Sequence, residues 1–311
     1  MTTMSLFQQI LQPISAGFVS LGGVVNPVVY PFPWFNTLHA ARISLVFQTN
    51  THKFNTHSSH GWKSYIGGFC LMCWGGMIFS HFLLNLPPPV LYAPLPWINY
   101  ISVHLILTFI FSLIPSVLAE TESLATLDFA FFPIDAMLRT GAVVGTLAHL
   151  APGSPYYDSI NPSLVNSPLF HFILGCTASA GGGVTAASLG VWNPNWGSGG
   201  FTPVFLRKGP RSPFKNILST LDVWGGGLVA IIYGLSTSHA AFRPVLSALS
   251  PYIYAFFLVD MKETKPLSPM DGKSLAAAVL MMFFGIRAFV AKMQTTGHAP
   301  NAAGENKEKK Q

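Results

Sequence analysis

The sequence predicts an all-α polytopic membrane protein with seven transmembrane helices. Half of its 311 residues are hydrophobic, only 9% are charged, and the mean hydropathy is +0.45. A soluble domain carries about 25% charged residues, so this composition indicates a chain that lies mostly in lipid. Several apolar stretches also reach about 20 residues, which is the length that a helix needs to cross a bilayer.

Seven such stretches define the organisation of the chain. They lie at about 32–47, 62–84, 98–118, 124–150, 169–189, 215–236 and 244–260. Residues 1–30 are expected to form a lumenal segment with a short interfacial helix, and residues 31–262 the membrane domain. In 263–311, a charged linker precedes an apolar segment, 274–291. This segment is short and carries Arg287, which favours an amphipathic interfacial helix, and the Lys-rich tail from Thr295 is expected to be disordered.

The basic residues of the loops orient these spans. One side receives nine of them: Lys53, Lys63, Arg207, Lys208, Arg211, Lys215, Lys262, Lys265 and Lys273. The other side receives only Arg243. Because Lys and Arg accumulate in cytoplasmic loops, the richer side is cytoplasmic and the N-terminus is lumenal.

Glycine runs interrupt two of the spans near their middle. Gly75-Gly76 lies in the second span, and Ser179-Ala180-Gly181-Gly182-Gly183 lies in the fifth. Glycine weakens a helix, and at bilayer depth it either permits close packing of neighbouring helices or lines a pathway. Glycine-interrupted spans at matching places in two halves of a chain are typical of transporters and channels built from an internal repeat. Both interpretations stay open, and the pathway interpretation makes Gly75, Gly76, Ser179, Gly181, Gly182 and Gly183 pore-lining, with freed carbonyls facing a cation.

The fourth span is the one with several ionisable residues: Asp128, Asp135, Arg139 and His149. Asp128 and Asp135 are seven residues apart and share a helix face, whereas Asp135 and Arg139 are four apart and can pair. Charges at this depth face a bundle interior, a cavity or lipid headgroups. Asp128 and Asp135 are therefore a possible ion relay, unless Asp135 and Arg139 simply neutralise each other.

Little in the sequence indicates an enzyme or a metal centre. Cys70-x-x-Cys73 has no second pair and lies in a predicted span, so packing explains it best. The histidines of the first 60 residues match no ligand spacing. No nucleophile–base pair and no phosphate-binding loop appears, and we expect neither a catalytic residue, a metal site nor a nucleic-acid partner.

Five motifs in order resemble the trimeric intracellular cation channels (TRIC) over about residues 34–260. They are Trp34-Phe35-Asn36-x-x-His39; Cys73-Trp74-Gly75-Gly76-Met77-Ile78 with Leu84 and Pro87-Pro88; Arg139, Gly145, His149 and Tyr156-Tyr157; Gly175 with Ala180-Gly181-Gly182; and Pro213-x-Lys215. The resemblance implies two inverted three-helix repeats, a seventh helix, and a homotrimer in which each subunit has its own pore along the second and fifth helices. It further implies a potassium-conducting channel that supplies counter-ion flux across an endoplasmic-reticulum or nuclear-envelope membrane.

Two positions depart from the family pattern. The signature that binds an inositol lipid in the family falls on Asp135-Ala136-Met137, so its lysine is replaced by Asp135 while Arg139 is kept. The resemblance implies an anionic inositol lipid on Arg139. The family's pore arginine falls on Ala178, a change that should ease cation passage. A secondary transporter with an Asp128/Asp135 relay and a non-conducting scaffold remain the alternatives.

Overall fold

Twelve α-helices and one β-hairpin make up the part of the chain that the structure describes. This structure is a computed structural model that covers residues 6–119, 121–197, 212–257 and 265–297. The helices are α1 (Leu6–Gly22), α2 (Trp34–Lys53), α3 (Trp62–Leu84), α4 (Pro94–Leu113), α5 (Ser116–Ala119), α6 (Thr121–Leu147), α7 (Pro162–Val165), α8 (Pro168–Leu189), α9 (Pro213–Ser219), α10 (Leu221–Ser236), α11 (Arg243–Phe257) and α12 (Pro269–Gly297). The basic loop residues Arg207, Lys208 and Arg211, and the tail beyond Gly297, lie outside the described residues.

Four of the described helices, α3, α4, α8 and α12, are long and apolar enough to cross a membrane, and α10 is a shorter apolar helix. α2 and α6 have similar lengths, but Arg42 in α2 and Asp128, Asp135 and Arg139 in α6 make them more polar. The chain is therefore all-α and has the helices of an integral membrane protein, as predicted.

The centre of the fold is α8, which packs on α3 along one face and on α10 along another. Glycines make both contacts. A Cβ added to Gly181 would lie 2.7 Å from Gly76 Cα in α3, and one added to Gly175 would overlap the backbone oxygen of Gly226 in α10. Since only glycine allows backbones to come this close, the glycines that interrupt the spans fix the helix spacing.

Two ends of the bundle can be distinguished by loop contacts. At one end, the α2–α3 loop meets the end of α8, where His60 Nε2 is 3.3 Å from the backbone oxygen of Val191. At the opposite end, the ring of His171 at the start of α8 lies 4.7 Å from that of His239, which follows α10. We call the first the basic end, because Lys53 and Lys63 lie there, and the second the histidine end.

The C-terminal third differs from the sequence expectation. The backbone N–H of Leu267 donates to the oxygen of Ser236 over 2.9 Å, so the chain returns after α11 to the end of α10 that it left. α11 is not among the four described helices that are long and apolar enough to cross a membrane, whereas α12 is; residues 258–260 of the span that we assigned to 244–260 lie outside the described residues. α12 packs along α6, α10 and α1 and buries Ala276, Leu280 and Phe284.

The interfacial assignment of 274–291 is thus corrected. It rested on the short length of the segment and on Arg287, yet α12 is 29 residues long and Arg287 Nη1 lies 2.7 Å from Asp222 Oδ2 in α10. The guanidinium also stacks 4.6 Å from the ring of Phe284. A charge with a carboxylate partner and an aromatic face can be accommodated between membrane helices, and that partner is 65 positions away in the sequence.

The segment before α2 has more structure than the sequence indicated. α1 packs against α12, with the hydroxyl groups of Ser15 and Ser274 at 2.8 Å. An antiparallel hairpin of β1 (Val24–Asn26) and β2 (Tyr30–Pro33) then leads into α2. Its turn begins at Asn26, whose Oδ1 accepts from the backbone N–H groups of Val28 and Val29. An Asn-Pro pair is typical of turns, so this turn could have been predicted from the sequence.

Candidate functional site

A cavity of about 650 Å³ lies between α2, α3, α6, α8 and α10. Its polar lining comprises His39, Arg42, Asn50, Lys53, Asp135, Arg139, Ser179 and Asp222. Lys53 and Phe54 line it and are exposed at the basic end, so the cavity opens there. It extends to Gly76 and Ala178, at the crossing of α3 and α8. The result is a recess with an apolar wall that carries several charged side chains and enters the bundle from one side.

Six charged side chains form a continuous chain of ion pairs, and four of them, Arg42, Asp135, Arg139 and Asp222, line this recess. They come from α2, α6, α10 and α12 and alternate in sign. In order, the N–O distances are Asp128–Arg42 2.8 Å, Arg42–Asp135 3.9 Å, Asp135–Arg139 3.5 Å, Arg139–Asp222 2.9 Å and Asp222–Arg287 2.7 Å. Three carboxylates and three guanidinium groups cancel in total charge, which lowers the cost of holding them at membrane depth.

The sequence identified the three members of this chain on α6, Asp128, Asp135 and Arg139, but not their partners on other helices. Asp135 and Arg139 do pair, as their spacing predicts, but Arg139 is closer to Asp222 than to Asp135. Arg42, Asp222 and Arg287 come from three other helices. Each is an isolated charge in an otherwise apolar stretch. Isolated charges of opposite sign in different spans are the feature of the sequence that could have predicted these ion pairs.

Arg139 is turned into the protein. Its Nη1 donates to the backbone oxygen of Ser179 in α8 at 3.4 Å, and its guanidinium lies 5.3 Å from the ring of Phe284 in α12. Together with its two carboxylate contacts, these partners surround the side chain from α6, α8, α10 and α12. The structure therefore places the residue that the resemblance assigns to a lipid within the ion-pair chain.

Four of the six expected pore-lining residues line the cavity: Gly76, Ser179, Gly182 and Gly183. Gly75 does not line it and instead faces α8, with its Cβ position 3.0 Å from Gly182 Cα. Gly181 faces α3 and borders a second recess of about 490 Å³. Gly183 differs from the other glycines because no atom outside the adjacent backbone of α8 and its chain neighbours lies within 4 Å of its Cβ position.

The expectation of freed carbonyl groups in the glycine run is wrong. α8 is an unbroken α-helix from Pro168 to Leu189, so its carbonyl groups take part in the helix ladder. The oxygen of Gly181 also accepts a 2.7 Å bond from the hydroxyl of Thr185. Tertiary contacts with α3 and α10 offset the low helix propensity of three successive glycines.

The cysteines and histidines that were considered as possible metal ligands in the sequence make separate contacts. Cys70 and Cys73 are free and buried in α3. His39 of α2 lines the cavity, and its Nδ1 lies 2.9 Å from the hydroxyl of Tyr100 in α4. Among the described residues, no three His, Cys, Asp or Glu side chains are placed to hold a metal ion.

Comparisons with known proteins give no match: no family model, no curated protein and no solved structure matches this chain.

Proposed function

We propose that this chain is a divergent TRIC-like channel that conducts monovalent cations, with K⁺ as the physiological ion, through the cavity between α2, α3, α6, α8 and α10. The observation that carries the proposal is a charged recess of about 650 Å³ inside a bundle of apolar helices. Ionisable groups at membrane depth mark ion pathways more often than they serve packing. The assignment to cations follows from the resemblance of the sequence.

The glycine crossing of α3 and α8 is the gate in this proposal. The cavity reaches Gly76, whose Cβ position is 2.8 Å from the backbone oxygen of Thr177. Ions cannot pass between backbones in such contact, so conduction requires α3 and α8 to separate here. Small residues on both helices make that movement possible, because no interlocked side chains hold the crossing.

The membrane setting is also part of the proposal. The N-terminus is lumenal and the C-terminus cytoplasmic, in an endoplasmic-reticulum or nuclear-envelope membrane. With α12 as the last crossing, Lys265 and Lys273 lie on the lumenal side, opposite Lys53 and Lys63 at the basic end. We propose counter-ion flux, a homotrimeric assembly and binding of an inositol lipid because the sequence resembles the TRIC channels.

The apolar outer surface is compatible with lipid or with subunit contacts. On α4, Phe109 and Leu113 are 65% and 66% exposed within one chain. An apolar helix face of this kind is stable only when lipid or protein covers it.

One observation favours a secondary transporter as the second candidate. Asp128 and Asp135 both contact Arg42, at 2.8 and 3.9 Å, so the two carboxylates of the proposed relay share one cation. An ion or proton that displaces Arg42 from one carboxylate would move it toward the other. This arrangement could couple binding to a movement of α2 against α6.

Recording in planar bilayers tests the proposal. Purified protein should give unitary currents whose reversal potential follows the K⁺ gradient. Gly183→Leu, which projects into the cavity, should reduce these currents, whereas Gly145→Leu is a matched control because its Cβ position is also free of contacts. Slow coupled flux without unitary steps would favour the transporter, and silence would favour a scaffold.

A further inference from the structure

The ring of His60 joins two segments of the chain at the basic end. It lies in the loop between α2 and α3, two residues before α3 begins. Its Nδ1 is 2.9 Å from the backbone oxygen of Thr56 in the same loop. Its Nε2 is 3.3 Å from the backbone oxygen of Val191, the second residue after α8. Both ring nitrogens therefore face carbonyl oxygens.

These two contacts together require a protonated ring. A carbonyl oxygen only accepts hydrogen bonds, and a neutral imidazole carries a single N–H, so its other nitrogen would turn a lone pair toward an oxygen. The imidazolium carries two N–H groups and donates to both oxygens. Hydrogen bonds from a charged donor are about twice as strong as those between neutral groups. Protonation of His60 thus completes the link between the loop and the end of α8, and loss of the proton as the pH rises removes one of its two bonds.

The neighbouring loop histidine does not compete for this proton. Burial lowers the pKa of His57 from its usual value of 6.5, and the nearby His52 and His60 lower it further. The Nδ1 of His57 lies 3.2 Å from the hydroxyl of Thr51, a group that can donate to a neutral ring. His57 is therefore suited to the neutral form and His60 to the charged one.

The other ionisable groups near this ring do not replace its carbonyl partners. Lys53, at the end of α2, and Lys63, at the start of α3, are exposed, so water and salt screen them. Tyr65 of α3 places its ring 5.9 Å away, and His104 of α4 stacks on Tyr65. Residues 186–197, at the end of α8, contain no ionisable side chain. The two backbone oxygens are thus the groups that bind the proton-bearing nitrogens.

This link lies at the mouth of the cavity. The hydroxyl of Thr56 donates to the backbone oxygen of Trp192, and both Trp192 and Phe54 line the cavity. Because α3 begins directly after the loop, the link ties the start of α3 to the end of α8. Such a tie works against the separation of α3 and α8 that the proposed gate requires.

We propose that His60 is a pH-dependent clasp, in which protonation from the basic end fastens the α2–α3 loop to the end of α8 and restrains the separation of α3 from α8. The restraint on conduction rests on the proposed function. The clasp itself can be measured without any ion flux.

Continuous-wave EPR of a doubly spin-labelled protein tests the clasp. Labels at Ser58→Cys and Asn195→Cys, which replace exposed residues, report how close the loop lies to the end of α8 in a background without native cysteines. The ratio of close to separated labels should rise roughly tenfold from about pH 8 to about pH 5.5, because a hydrogen bond from a charged donor is gained. His60→Gln, which cannot take up a proton, should abolish this rise. The matched control is His52→Gln, which removes another histidine of this end and should retain it.

A second variant keeps the test decisive if the loop is docked at every pH. Thr56→Val removes the hydroxyl bond to Trp192 and keeps both carbonyl partners of His60, so the pH dependence should be at least as large as in wild type. Label distances that do not change with pH in either protein, or an equal change in His60→Gln, would overturn the clasp.

Currents separate the clasp from the proposed channel. Acidification at the basic end should reduce currents of the wild type and leave those of His60→Gln unchanged. Label distances that depend on pH and on His60 in a protein without currents would support the clasp and reject the channel. Currents that respond equally to pH in both proteins would overturn the restraint on α3 and α8.

Discussion

The contact between α3 and α8 makes a sharp prediction for two glycines in one helix. Gly181 and Gly183 lie two residues apart in α8. A Cβ added to Gly181 would lie 2.7 Å from Gly76 Cα and 3.3 Å from Gly76 N, whereas one added to Gly183 meets nothing within 4 Å. Gly181→Ala must therefore move a backbone, and Gly183→Ala need not.

The magnitude follows from the comparison of the two variants. Each replaces glycine by alanine inside a helix, which favours the helix by about 1 kcal/mol in both cases. That gain cancels in the difference and leaves the cost of the overlap. Ordinary carbon contacts are about 3.5–4 Å, so α3 has to retreat by at least about 0.8 Å. Overpacking of this kind costs about 1–3 kcal/mol. We expect Gly181→Ala to be less stable than Gly183→Ala by that amount.

The measurement is the free energy of unfolding of each purified variant during titration of mixed micelles with SDS. Gly183→Ala should equal or exceed the stability of wild type, and Gly181→Ala should fall below Gly183→Ala. Equal stabilities would refute the reasoning, because they would mean that α3 and α8 are not in backbone contact at Gly76.

Three further predictions concern charge, pH and topology. Arg287→Ala should lower the free energy of unfolding by about 1 kcal/mol, because Asp222 keeps only one of its two partners; proteolysis should then release α12 more readily. Burial lowers the pKa of His57 from its usual value of 6.5, so the unfolded chain binds this proton first and stability falls as pH drops below about 6.5. His57→Gln should reduce the loss of thermal stability between about pH 7.5 and about pH 5.5, and an identical loss would contradict this. In a cysteine-free background, Ser59→Cys and Ser154→Cys should react with impermeant reagents from opposite sides of the membrane.

Most helices could be predicted from the sequence, because apolar length is a local property. The spans placed at 62–84 and 169–189 coincide with α3 and α8 almost to the residue. The C-terminal part could not be predicted in the same way. The segment of α11 is apolar, but the return of the chain to Ser236 after it is a tertiary contact. The burial of α12 depends on Asp222 as a distant partner for Arg287.

The candidate site was predictable in kind but not in arrangement. Asp135 and Arg139 stood out because charges in an apolar span are costly, and this cost is visible in the sequence. Which carboxylate holds Arg139 is decided by the packing of α10 against α6, and spacing within α6 favours Asp135 instead. The glycine run shows the same limit of sequence-based prediction. A glycine that packs against another helix cannot be distinguished from one that lines a cavity until the positions of the neighbouring helices are known.

The central claim is that ions pass through the cavity between α2, α3, α6, α8 and α10. The most direct test is Tl⁺ influx into proteoliposomes containing Gly183→Cys in a background without Cys70, Cys73 and Cys176. Gly183 lines the cavity and has room for a side chain, so the unmodified variant should support influx. Labelling with a positively charged thiosulfonate reagent should then abolish most of it. Full modification of Gly183→Cys with undiminished Tl⁺ influx would contradict the account, because ions would then cross elsewhere.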